Sequence, residues 1–409
     1  MTNCGTHAAL TGPDPAANAG IVRRGWEGNS IPRDLRIGAA LFSSGFRPFF
    51  LLGAAYGPVA LALGYLWPQP HWHPHEMLFG FAAALVCGVL LTALPSWAGA
   101  REVSGARLAA LAALWLAGRV AVISSPWLPP ALVALIDCAL VPLLGWVIAR
   151  TVAHARRELF YWTFLPLAAL AIANIAFHVA LARGADADAR WALRLALHAL
   201  MFLFTLYGGL FIPAFTRRWL HERGERAAAI LMPLEYATAF AMLGFACADL
   251  LGAPPGLMIA AALAAAAVHA WRFARWRGWK TGSEPLLWCI HLGYVWLIAS
   301  LLVRAVAEIL PSFRRDAWIH AFTLGAYGML KIGLLTRVAL RHTGRPLRAS
   351  IPMRIAFLAI LAAALLRLAY SVHDLGAWAL IASALAWSAA FLAHLAVHGP
   401  MLLRPSLPR

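Results

Sequence analysis

The chain has 409 residues, of which 62% are hydrophobic and 12% charged, and its mean hydropathy is +0.72. Soluble globular proteins contain about 45–50% apolar and about 25% charged residues, so this composition excludes both a soluble fold and a disordered chain. The net charge of +17 comes from basic residues that punctuate apolar runs, which argues against a nucleic-acid partner and favours loops beside an anionic lipid surface.

The chain divides into two tails and one long apolar region. Residues 1–40 lack the basic and then apolar layout of a signal peptide, so we expect a loose cytoplasmic tail. Residues 41–398 are expected to form an all-α integral membrane domain, because helices satisfy their own backbone polar groups in the lipid bilayer. Residues 399–409 are expected to form a second cytoplasmic tail.

Twelve apolar runs in this region predict transmembrane helices, each of which needs about 20 residues. The first six predicted spans are residues 49–67, 77–97, 108–123, 130–149, 159–181 and 191–215. The second six are residues 230–251, 255–271, 285–309, 317–336, 355–372 and 377–397. With the N-terminus inside, inner segments hold 24 Lys and Arg residues and outer loops hold 4. This asymmetry predicts that both termini are cytoplasmic.

Two sequence patterns recur along the chain. The motif in residues 207–217 returns in residues 327–337, and the His-x4-Gly-x4-Leu-x2-Gly spacing of residues 75–88 returns in residues 320–333. Spans two, six and ten are four helices apart, which suggests three parallel four-helix units. Chance similarity between leucine- and glycine-rich helices is the alternative.

Burying a charged residue inside a membrane span costs free energy, so such residues are expected to be functional or to pair with an opposite charge. Arg119 and Asp137 fall at similar depth on neighbouring spans, and Arg304 and Glu308 are four residues apart on one helix face. We interpret both as structural charge pairs.

Histidine is the most informative residue type, because imidazole is the usual ligand of haem iron and copper. The segment His71-Trp72-His73-Pro74-His75-Glu76 gathers three imidazoles and a carboxylate at the head of span two. Pro74 suits the first turn of a helix. A metal site and an exposed interfacial loop are the two interpretations of this segment.

Several motifs resemble those of the NnrS family. They are Ser44–Leu52, Trp72–Phe81, Leu90–Trp97, Ile212–Arg217, His291–Tyr294, His320–Ala326 and Thr336–Arg345. The resemblance covers nearly the whole chain after residue 40. Arg218-Trp219 after the Thr-Arg pair of span six, and Lys331 in span ten, depart from the family pattern.

This resemblance implies a bacterial inner-membrane protein of twelve helices that binds haem and copper. It also implies a role in nitric oxide metabolism and relief of nitrosative stress, often beside denitrification proteins. No Cys-x-x-Cys pair is present, so the haem is expected to be a noncovalent b-type group.

We predict that His73, His75 and His320 form the principal metal site at the outer ends of spans two and ten. Small residues on both helices permit close packing. Glu76 is expected to orient a ligand histidine from outside the coordination sphere. His71 and His178 are weaker candidates at the same depth.

A second patch is predicted near the cytoplasmic face, around the candidate ligands His291 and His342. Arg217 and Arg337 end spans six and ten in equivalent ways, so their guanidinium groups either bind haem propionates or are ordinary positive-inside residues.

Three functions are compatible with the sequence. The first is a haem and copper protein that binds or transforms nitric oxide or its metal adducts. The second is a transporter of a small solute, suggested by the many helices and paired intramembrane charges. The third is a non-catalytic metal or nitric oxide sensor that uses the same ligands.

Overall fold

The computed structural model describes residues 33–153, 158–226, 228–310, 313–373 and 375–408. Within these ranges every regular element is a helix, in agreement with the predicted all-α class. A short helix, Arg33–Leu41, precedes the main bundle and covers the last eight residues of the segment expected to be a loose tail.

Twelve longer helices follow in the described residues, and we label them α1–α12 in chain order. The helices α1–α6 are Phe46–Leu66, Trp72–Ala98, Gly105–Ile123, Pro130–Val152, Phe164–Ala182 and Asp186–His221. The helices α7–α12 are Met232–Leu250, Pro255–Arg275, Pro285–Ile309, residues 317–342, Ile351–Val372 and Ala377–Leu402.

Ten of the helices in the described part of the chain are long and apolar enough to cross a membrane. The other two long helices, α7 and α10, form at the predicted positions but lack an apolar stretch long enough to meet this criterion. Glu235 and Asp249 lie in α7, and Lys331 and Arg337 lie in α10. The structure is therefore that of a multi-pass membrane protein with ten candidate spans, where the sequence predicted twelve.

Two helices extend well beyond their predicted ends. At 36 residues, α6 is about 54 Å long, which exceeds the roughly 30 Å hydrocarbon core. Asp186 and Asp188 lie in its first turn, where carboxylates interact favourably with the helix dipole. The last helix, α12, continues to Leu402 and so occupies the start of the segment expected to be a C-terminal tail.

Three helices form the centre of the bundle. The apolar windows of α2 and α6 are 89% and 83% buried, against 28–61% for the other candidate spans, and α10 is almost continuously buried from Gly325 to Thr336. Each long helix packs against the next one along the chain, and α12 packs against α1. The helices α2, α6 and α10 are therefore the most enclosed members of the bundle.

The helices α2 and α10 share an irregularity directly after a histidine. Each contains a π-helical segment, Glu76–Ala82 after His75 and Ala321–Gly328 after His320. Neighbouring side chains donate hydrogen bonds to carbonyl groups of the first segment: Trp115 Nε1 to Gly80 at 3.0 Å and Tyr327 Oη to Ala82 at 3.0 Å. Such segments occur often at functional sites.

A buried histidine–carboxylate centre

A cluster of polar side chains lies between α2, α3, α4 and α5, inside the apolar bundle. We call it the polar centre, and its members are His75 and Glu76 of α2, Arg119 of α3, Asp137 of α4, and Asn174 and His178 of α5. All are buried except His178, which is nearly so. Asn174 and His178 are four residues apart and therefore share one face of α5.

The imidazole of His75 is held on both nitrogen atoms. Its Nδ1 lies 3.0 Å from Oε1 of Glu76, and its Nε2 lies 3.1 Å from Oδ2 of Asp137 and 3.1 Å from Oδ1 of Asn174. The ring stacks on Phe177 with the centroids 4.6 Å apart. These contacts fix both the position and the plane of the imidazole.

Asp137 is the acceptor that joins the helices of the polar centre. Its Oδ2 lies 2.9 Å from Nε2 of His178 and accepts a hydrogen bond from Nδ2 of Asn174 at 2.9 Å. Its Oδ1 accepts from the guanidinium of Arg119. One carboxylate thus connects α2, α3 and α5 to α4.

Glu76 anchors the other side of the polar centre. Its Oε1 accepts from NH1 of Arg119 at 2.5 Å, and its Oε2 accepts from the hydroxyl of Tyr56 on α1. Gly80 permits this approach, because a Cβ atom there would lie 2.5 Å from the Tyr56 ring and 3.2 Å from Cδ of Arg119.

The charges of the polar centre do not balance when both imidazoles are neutral. Glu76 and Asp137 carry two negative charges, and among the residues that the structure describes Arg119 carries the one fixed positive charge in contact with them. Buried charge is costly in a low-dielectric interior unless it is compensated. A proton on an imidazole, or a bound metal cation, would remove the excess negative charge.

Three side chains of the polar centre fit a metal ion. One ligand atom from each of His75, Asp137 and His178 lies within 4.8 Å of the other two. Two imidazole nitrogens and a carboxylate oxygen suit copper, zinc or iron. The contact between Glu76 and Nδ1 of His75 leaves Nε2 toward the metal position, which is the common carboxylate–histidine–metal arrangement.

The other two members of the predicted outer site lie elsewhere. Nε2 of His320 lies 3.2 Å from NH2 of Arg367 on α11, and His73 interacts electrostatically with both of these residues. The structure therefore separates His75, which faces α4 and α5, from the pair of His73 and His320. His71 lies 3.2 Å from Asp186 at the start of α6.

The predicted inner patch is spread over three helices. Both ring nitrogens of His291 are engaged, Nδ1 with the Leu287 carbonyl at 2.9 Å and Nε2 with Thr216 Oγ1 at 3.2 Å. The Arg337 guanidinium stacks over Phe215 of α6 at 4.1 Å. His342 packs against the ring of Phe46.

Arg217, next to Thr216, is half-buried near the C-terminal end of α6. The C-terminal parts of α6 and α10 thus meet each other, and α6 also meets the N-terminal part of α9, while His342 contacts α1.

A second histidine–carboxylate cluster joins α6, α7 and α9. Arg304 contacts Glu308 and lies 3.2 Å from Asp249, whose Oδ2 lies 2.9 Å from Nε2 of His198. His198 also stacks on Trp318 of α10. With one imidazole, this cluster offers fewer metal ligands than the polar centre.

Tyr56 and Asn174 were not among the candidates taken from the sequence. Tyr56 carries no motif that sets it apart from an ordinary membrane tyrosine. Asn174 does: an amide in the middle of an apolar run, four residues before His178, would have placed both side chains on one face.

The chain was compared with known protein families and with curated proteins. The family described as NnrS protein matches residues 40–406. No curated protein matches the chain.

Proposed function

Because the chain belongs to the NnrS family, we propose that it is a bacterial inner-membrane protein that carries copper and haem and acts in nitric oxide metabolism. Nitric oxide or its metal adducts are the proposed ligands, and protection from nitrosative stress is the proposed role. The family membership supports the class of protein, and the polar centre supports a metal-dependent function within it.

The observation that carries this proposal is the set of ligand atoms on His75, Asp137 and His178, which lie within 4.8 Å of one another between apolar helices. We propose that this set binds copper. Copper held there would supply a redox-active ion that takes nitric oxide as a ligand. The bilayer dissolves small apolar gases, so a buried site is accessible to nitric oxide without an aqueous channel.

The surrounding residues would tune this site. Glu76 would hold the His75 ring in the tautomer that keeps Nε2 free for the metal. Arg119 would offset part of the negative charge, which favours a singly charged cation over a doubly charged one. Asn174 would fix the Asp137 carboxylate through its Nδ2.

For haem, we propose His320 as an axial ligand. Of the five histidines predicted as ligands, His320 alone has a buried ring nitrogen, Nδ1, that lacks a well-formed hydrogen bond in the described chain; the Asp316 backbone interacts with its ring. An unsatisfied buried nitrogen is expensive, and a bound group would relieve that cost. Haem supplies an iron that binds diatomic gases. Near the other end of α10, about 25 Å along the helix from His320, Arg217 and Arg337 are proposed to pair with the propionates of a haem held at the predicted inner patch.

We further propose that all twelve helices span the membrane, with residues 1–40 and the C-terminal end in the cytoplasm. The 24-to-4 distribution of basic residues supports this orientation. The burial of α2, α6 and α10, which are four helices apart, and the π-helical segments in α2 and α10 support three four-helix units.

An optical and metal analysis of the purified protein tests the proposed function. A Soret band that shifts when nitric oxide is added, together with stoichiometric copper, is the expected result. A colourless, metal-free protein would instead favour a transporter of a small solute. Consumption of nitric oxide by the protein in liposomes would distinguish a reaction from sensing.

A further inference from the structure

A small cavity lies where the three central helices meet. Its volume is about 30 Å³, which is room for about two water molecules, and it is lined by α2, α6 and α10. Most of its wall is apolar, with Leu90, Leu203, Phe204 and Leu334 among the lining residues. The cavity shares no lining residue with the polar centre.

Two tyrosines line the cavity, but their hydroxyl groups are engaged with other residues. The Tyr207 hydroxyl lies 2.7 Å from Thr163 Oγ1, and the Tyr327 hydroxyl donates to the Ala82 carbonyl at 3.0 Å. These two groups are therefore committed to fixing the helices.

Lys331 is the charged residue in the cavity wall. The residue is 7% exposed, and its Nζ lies 4.9 Å from the centroid of the Tyr327 ring. No carboxylate of the described chain forms an ion pair with it. An ammonium group at this depth is costly unless a negative charge balances it, and the Tyr327 ring offsets only part of that cost.

We propose that Lys331 and this cavity bind one small monovalent inorganic anion, of the size of a halide. One negative charge balances the one ammonium group, and the volume admits an ion of that size but not a large organic acid such as gluconate. Lys331 and Tyr327, which form the cation–π contact, both line the cavity. Because the cavity shares no lining residue with the polar centre, the site is independent of the proposed metal chemistry.

Nuclear magnetic resonance of labelled lysine can follow Lys331 directly, because the chain contains two lysines, Lys331 and the partly exposed Lys280. Protein labelled with ¹³C at lysine Cε, purified in detergent, would give two signals, and the K331M variant would assign them. Sodium bromide is titrated against sodium gluconate at equal ionic strength, since gluconate is too large for the cavity.

Bromide should shift the Lys331 signal saturably and leave the Lys280 signal unchanged. Bromide should also raise the Tm of the wild type and of the K280M variant by about 2 °C relative to gluconate, and not that of K331M. A Lys331 signal that is the same in both salts would overturn the proposal, as would an undiminished bromide effect in K331M. If K331M does not fold, the wild-type titration decides, with K280M assigning the signals.

Discussion

Nε2 of His75 lies 3.1 Å from Oδ2 of Asp137, which joins the first turn of α2 to α4 inside the apolar bundle. On the other side of the same ring, Nδ1 lies 3.0 Å from Oε1 of Glu76. The imidazole is thus held between two carboxylates, where a proton or a metal ion can occupy the position shared with Asp137. The polar centre is built around this shared position.

The Glu76→Gln variant tests the role of Glu76 in orienting His75. We expect the affinity for Cu(I) to fall by about 10–100-fold, because the neutral amide is a weaker acceptor for the Nδ1–H group. Competition with a chromophoric Cu(I) chelator measures this affinity. Glu308→Gln, which alters the second cluster, is the matched control and should leave it unchanged. Equal affinities for the two variants would refute the assigned role.

The Arg119→Met variant tests the charge balance of the polar centre. Removing the Arg119 guanidinium leaves the buried carboxylates of Glu76 and Asp137 without their shared positive partner. We therefore expect the free energy of unfolding to fall by about 3–5 kcal/mol. Arg218→Met removes an exposed ion pair with Glu222 and should cost about 0–1 kcal/mol. Unfolding in mixed detergent micelles compares the two, and similar losses would contradict this account.

The polar centre was predictable in part. The sequence identified His75 and Glu76 from the cluster of histidines in which they lie. It also predicted the pairing of Arg119 with Asp137, because the loop charges define the spans and place both residues at a similar depth on neighbouring spans. The candidate metal-ligand set of His75, Asp137 and His178 depends on how α2 is rotated about its axis and on how closely α5 packs against α2 and α4. Spacing along a chain does not specify either, and the π-helical segment after His75 changes the rotation further.

The same reasoning explains the separation of His75 from His320. Both follow the same spacing pattern and both precede a π-helical segment, but they lie on helices with different neighbours. His75 faces α4 and α5, whereas His320 faces α11 through Arg367. The sequence predicted which helix carries each histidine, but it did not predict which helices pack against one another.

The His320→Ala variant tests the haem proposal. We expect haem content, measured as the pyridine haemochrome, to fall by roughly tenfold or more, because the axial ligand is lost. His71→Ala, which alters a histidine beside Asp186, is the control and should retain haem. Full haem in His320→Ala would show that another residue binds the iron.

Haem content also tests Arg217 and Arg337 as propionate partners. The Arg217→Lys/Arg337→Lys variant keeps both positive charges and removes the planar forks that bind a carboxylate at two points. Reduced haem content is expected. Unchanged content would leave these arginines as ordinary positive-inside residues.

Reporter fusions test the proposed topology. The turn glycines Gly184 and Gly252 follow α5 and α7, and fusions after them should report the periplasm. Fusions after Gly224 and Gly344, which follow α6 and α10, should report the cytoplasm. Because α7 and α10 are the two long helices outside the ten candidate spans, these four sites test whether both cross the bilayer. A cytoplasmic signal after Gly252, or a periplasmic signal after Gly344, would contradict twelve spans.

Copper content in single histidine variants tests the central claim most directly. Wild type, His75→Ala, His178→Ala and the control His71→Ala would be loaded with Cu(I) under reducing conditions, freed of excess metal and assayed for copper by mass spectrometry. The account predicts that His75→Ala and His178→Ala each lose roughly nine-tenths or more of the bound copper, while His71→Ala keeps it. Stoichiometric copper in both His75→Ala and His178→Ala would contradict the account.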